Sequence, residues 1–335
     1  MALCQEAEES AVSRDHTGAA RRLGYAAVLL AALLYGGNVI AGRLVAPLVP
    51  PLALAAARGV LGLMVLLPFA WREPHKPRLQ DLPYMAMVGF LGISVAYGTF
   101  AWSMQNSPAL NAAIIFATFP AVTLVLLAIG WHVKPGRYQI AGIIIAFTGL
   151  TLVSTQGSLD RLLALRFQPV DLVLLVNVTA CALSNILGQK MMQCYSPTIT
   201  STCALFFGTL FLLPGGLWEV VHQGWYLPWI GWLLLIYMGC IIAGLAVLLN
   251  FEAINRLGCG PVAMFNNLNP LFAIALAAWI LKENLSWYHV AGIILVLGGV
   301  LISLWQHHPA KETALSPENK KHLRRVFPPA GPPLL

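Results

Sequence analysis

Tyr138-x-x-Ala141-Gly142-Ile143-Ile144 returns 150 positions later, without a gap, as Tyr288-x-x-Ala291-Gly292-Ile293-Ile294. The same offset pairs Ala113 with Ala263, Pro120 with Pro270, Leu126 with Leu276, Ala128 with Ala278 and Gly149 with Gly299. That makes ten identities over the 37 positions 113–149. Apolar stretches match each other by chance at a few positions. A proline at the same point inside both runs, followed by the Tyr-x-x-Ala-Gly-Ile-Ile echo, marks a duplicated unit.

The surrounding composition identifies the solvent in which that unit folds. Hydrophobic residues make up 58% of the 335, charged residues only 10%, and the mean hydropathy is +0.74. A soluble domain carries about 25% charged residues, so this chain cannot cover a water-facing surface and reads as an all-α integral membrane protein. The net charge of +7 does not point to nucleic acid, because no basic stripe interleaves with aromatic residues. Basic residues retained on one side of a membrane explain it.

Ten apolar stretches reach bilayer length, about 20 residues at ~1.5 Å each. They fall at 23–45, 51–71, 83–103, 109–131, 138–153, 171–191, 199–221, 229–251, 261–281 and 287–305. Backbone in lipid must satisfy its own hydrogen bonds, so these are helices; barrel strands would alternate in ~10-residue pieces. The expected organisation is an N-terminal segment 1–22, a first repeat 23–155, a linker 156–170, a second repeat 171–306 and a disordered basic tail 307–335. With both termini on the inner side, alternate loops place 15 Lys and Arg inside and 4 outside, and Arg58 lies within a span. That bias predicts cytoplasmic termini and an inner-membrane location.

The echo pairs span four with span nine and span five with span ten, so each half holds five helices. An odd number of crossings inserts the second half upside down, with a pseudo-two-fold axis in the membrane plane. Two inverted five-helix repeats are an architecture of secondary transporters.

Several segments strengthen this. They are Leu34-Tyr35-Gly36-Gly37-Asn38, Arg58, Ala113 with Pro120, Gly260-Pro261-Val262 with Asn269-Pro270, Leu281-Lys282-Glu283 and Ala291-Gly292-Ile293-Ile294. On these residues the chain resembles the EamA-type transporters of the drug/metabolite transporter superfamily. The family carries an acidic pair at the end of the fourth span, where this chain has Trp131-His132-Val133. The resemblance implies small-molecule transport, commonly export of amino acids and other metabolites.

Polar groups inside apolar spans are candidate solute contacts, because lipid offers them no partner. Asn266, Asn267 and Asn269 precede Pro270, which removes a backbone donor and is expected to free the carbonyl of Asn266. Pro120 and Pro270 are the expected hinges. Asn38 in span one, Tyr97 in span three and Asn185 in span six are further lining candidates. Arg58 lies about 10 Å below the outer boundary by helical rise. Either it snorkels to the interface or it faces the cavity and attracts a carboxylate or phosphate.

No Asp or Glu falls mid-span, leaving the end-placed Glu252 and Glu283 as coupling candidates. No phosphate-binding loop, zinc-protease or serine-hydrolase signature occurs, so no enzyme activity, cofactor or metal is expected. Six scattered cysteines without a Cys-x-x-Cys read as reduced packing thiols. The expected partners are a small-molecule solute and the bilayer, with a homodimer left open. The competing functions are multidrug or cation efflux, and, from another class, a membrane-embedded enzyme or a non-transporting receptor.

Overall fold

The computed structural model describes residues 18–74, 76–106, 109–133, 135–163, 169–281 and 286–305. The first 17 residues, Lys282, Glu283 and the tail 307–335 lie outside the described residues. Among the described residues there is no strand, and nine helices are long and apolar enough to cross a membrane. These are α1 (Gly18–Leu48), α2 (Pro51–Arg72), α3 (Leu82–Ser103), α4 (Asn111–Trp131), α5 (Arg137–Ser154), α6 (Asp171–Met191), α7 (Pro197–Gln223), α8 (Trp229–Leu257) and α10 (Trp287–Trp305). Between α8 and α10, where a ninth span is expected, lie two shorter helices, Cys259–Phe265 and Leu268–Leu281, together α9.

Local chemistry sets where the helices begin and end. Helix α2 starts at Pro51, whose missing N–H costs nothing in a first turn. The next two N–H groups, of Leu52 and Ala53, donate to one Glu219 carboxylate oxygen at 2.7 and 2.9 Å. At the other end the Lys76 ammonium binds the carbonyls of Ala70 and Trp71 at 2.9 and 2.8 Å, satisfying acceptors that a helix leaves open. Gly258 alone connects α8 to α9, at φ 88° and ψ 164°, a region open essentially to glycine.

The axis foreseen in the sequence appears as reciprocal contacts. A Cβ on Gly149 would lie 2.9 Å from the Gly292 carbonyl oxygen, and one on Gly292 2.9 Å from the Gly149 carbonyl oxygen. Gly142 and Gly299 face each other's carbonyls in the same reciprocal way. Residue i meets j + 150 and j meets i + 150, as an isologous two-fold interface requires, and α5 therefore runs antiparallel to α10. Helices α2 and α7 cross in the same 150-residue register: Gly59 faces Thr209, which is 150 positions later, and a Cβ on Gly216 would lie 3.1 Å from the Leu52 carbonyl oxygen.

Two irregularities also repeat. Helix α3 contains a π-helical stretch at Phe90–Val95 and α8 one at Tyr237–Ala246; shifting the first by 150 lands inside the second. Helix α4 is interrupted at Thr118, and α9 at Asn266 and Asn267. The carbonyl of Asn266 is not free, contrary to the expectation from Pro270. It accepts the Asn269 N–H at 3.1 Å, so the chain tightens into a turn and remakes one residue early the bond that proline forfeits.

Candidate functional site

Helices α1, α2 and α3 converge on Arg58, which is 1% exposed. Its Nη2 donates to Asn38 Oδ1 at 3.2 Å. The guanidinium carbon lies 4.4 Å from the Tyr97 ring centroid and 5.9 Å from that of Phe100. Tyr35, on α1, lies within electrostatic reach of the guanidinium, and Cys181, on α6, within reach of Tyr35 and Tyr97. Arg58 Nε and Nη1 and the Tyr97 hydroxyl are buried without a hydrogen-bond partner. The guanidinium is therefore enclosed by its neighbours and does not snorkel. Three of the sequence candidates, Asn38, Arg58 and Tyr97, form one cluster.

Asn185 lies where α6, α8 and the start of α9 meet, and Asn266, Asn267 and Asn269 lie further along α9. Asn250 donates to Asn185 Oδ1 at 3.3 Å, the Cys259 thiol donates to the Asn185 carbonyl at 3.1 Å, and Gln189 Oε1 accepts the Cys259 N–H at 3.2 Å. These bonds tether the start of α9 to α6. Asn267 is 2% exposed, and its amide nitrogen has no partner, nor has Asn269 Oδ1. The two clusters are linked through α1: a Cβ on Gly36, two residues before Asn38, would sit 3.0 Å from the Asn269 carbonyl. Glu252 pairs instead with Arg256, four residues on, at a 30% exposed helix end.

The two faces of the molecule differ. On one, the Tyr195 hydroxyl donates to the Asp81 carboxylate and accepts the Arg78 N–H at 3.2 Å, joining the α2–α3 and α6–α7 loops. On the opposite face the symmetry-related loops line a cavity of about 660 Å³, bounded by residues 47–51, Gln105 and residues 223–226.

A family model described as the EamA-like transporter family matches residues 22–155 and again residues 168–305. The chain belongs to the EamA-like transporter family. It is a multi-pass membrane transporter. It is 23% identical over 286 residues to the uncharacterized transporter YetK of Bacillus subtilis, covering 84% of this chain and 86% of that one. It is 26% identical over 166 residues to a probable terminal-alkyne amino-acid exporter of Streptantibioticus cattleyicolor, half of each chain. One crystal structure of a protein superposes with a TM-score of 0.65 at 16% identity, over 85% of this chain and 96% of that one, a likeness of fold.

In this EamA-like transporter two buried acids and a half-buried tyrosine escaped the search of the sequence. Glu219, 6% exposed, sits near a helix end where water was expected. Its signal was the Pro50-Pro51 start of α2, a helix with no capping side chain of its own. Asp171, 2% exposed, accepts from the Asn111 amide at 2.7 Å, and it too lies at a span boundary. Tyr35 was visible only as part of a family-like segment, because nothing local marks which face of α1 it occupies.

Proposed function

We propose that this transporter exports small polar metabolites, amino acids or close relatives, by alternating access across the cell membrane, with both termini in the cytoplasm. The observation that carries the reading is the reciprocal pairing of α5 with α10, with α2 and α7 in the same 150-residue register. An axis in the membrane plane lets the two halves exchange roles, so a state open on one side has a mirrored state open on the other. The antiparallel α5 and α10 also support α9 as a tenth crossing, since without it α10 would run parallel to α5. The Tyr195–Asp81 junction and the cavity opposite support a state closed on the inner side with a vestibule between the outer loops. Name and partial similarity of the Streptantibioticus exporter favour amino acids among the solutes.

The site is proposed where the two clusters adjoin, with Asn38, Arg58 and Tyr97 on one side and Asn266, Asn267 and Asn269 on the other. The test is counterflow in proteoliposomes holding the purified full chain, using labelled amino acids, vitamins, nucleosides and a cationic dye. Saturable exchange of an amino acid is expected. Failure to move any of these solutes would remove the proposal.

A further inference from the structure

We infer that the exported solute carries a single carboxylate and that Arg58 is the group that binds it. This rests on the transport reading above and narrows its substrate class. Of the five N–H groups of a guanidinium, the three on Nε and Nη1 are buried and unpaired. The contacts that Arg58 does make are to neutral groups, the Asn38 amide oxygen and the rings of Tyr97 and Phe100. Contacts to ring faces offset only part of the cost of burying an unpaired charge. The deficit outweighs the ring contacts, and an anion is what would close it.

The described chain offers no such anion. Among the described residues the buried acids are Asp171 and Glu219. Asp171 is engaged by Asn111, and Glu219 by the first turn of α2. One cation among neutral groups matches a monoanion, and a phosphate dianion would bury a surplus negative charge. The same cation repels ammonium-type drugs, which sets this site against cation efflux. The unpaired Tyr97 hydroxyl supplies a further donor to the second carboxylate oxygen.

The test uses the purified full chain and five probes: L-leucine, 4-methylpentanoate, leucinamide, isopentylamine and inorganic phosphate. Binding is read as a saturable rise in Tm in detergent, and movement as counterflow in proteoliposomes. L-Leucine and 4-methylpentanoate are expected to bind, and the two amines and phosphate not. Arg58→Gln is expected to weaken carboxylate binding about thirtyfold or more; Arg58→Lys, which keeps charge without the planar fork, falls between. Should Arg58→Gln fail to fold, Tyr97→Phe keeps the ring and is expected to weaken carboxylate binding about fivefold. Binding of the amines or of phosphate in place of the carboxylates overturns the substrate class and leaves transport standing. Carboxylate binding unchanged in Arg58→Gln, or in Tyr97→Phe if that is the folded variant, overturns the assignment of the residue. A chain that neither binds nor moves any solute overturns the transport reading beneath it.

Discussion

Glu219 spans two helices with one carboxylate oxygen, taking the N–H groups of both Leu52 and Ala53. A carboxylate at a helix N-terminus gains from the exposed donors and from the helix dipole together. Glu219→Gln keeps an acceptor and loses the charge, so a fall in stability of about 1 kcal/mol is expected; Glu219→Leu leaves the donors bare, at about 2 kcal/mol. Thermal melts of the two variants check the order. Tyr195 is the matching residue on the other face. Burial, and then its hydrogen bond to Asp81, push the phenol from its ordinary 10.0 up to about 12. The neutral phenol is the form that the fold favours, so its contribution is complete below pH 10 and is lost as pH rises towards 12. Tyrosinate absorbance titrated in the parent chain and in Tyr195→Phe should differ by one late-titrating phenol. Arg58 was legible in the sequence as a charge inside a span, because lipid makes any such charge conspicuous. Its partners were not, since Asn38 and Tyr97 come from other helices and only packing brings them within reach.

At the scale of elements, the two halves use one device with different residues. The Gly136 N–H donates to Gln139 Oε1 at 2.9 Å, and 150 positions later the Ser286 N–H donates to His289 Nδ1 at 3.0 Å. Each acceptor closes the start of its helix, α5 or α10, from the third position in. His289→Gln copies the first half and should leave the Tm unchanged, whereas His289→Leu should lower stability by about 1 kcal/mol. Equal melting of both variants would show that the second cap carries no weight. Most helix starts were legible because prolines and apolar runs are local signals, but α1 begins at Gly18 and α8 runs on to Leu257, beyond the expected bounds. The interruption of α9 was legible as a break near Pro270, but the turn at Asn266 and Asn267 was not, because a displaced carbonyl can find a new donor one residue away. The π-helical stretches of α3 and α8 had no sequence mark at all: FLGISV and YMGCIIAGLA share no pattern.

Across the whole molecule, the duplication proved wider than its identities. Only 113–149 echoes visibly, yet α2 and α7 keep the same 150-residue register, with Gly59 on Thr209. Packing conserves the axis where residue types have drifted, since any pair of small groups permits close approach. That makes the axis testable with glycines. A methyl on Gly142 or on Gly292 would strike a carbonyl oxygen of the facing helix, and a backbone carbonyl cannot rotate aside as a side-chain tip can. Gly142→Ala and Gly292→Ala are each expected to cost about 1–3 kcal/mol. Gly298 adjoins Gly299, yet an added Cβ there meets nothing within 4 Å, so Gly298→Ala should be neutral or stabilising by up to about 1 kcal/mol. The double variant of Gly142 and Gly292 then separates two accounts. If the helices part as one rigid interface, the first methyl has already opened the space for the second, and the pair costs less than the sum. Strict additivity in thermal melts would mean that each contact yields locally, and α5 and α10 would not be the fixed pair about which the halves turn.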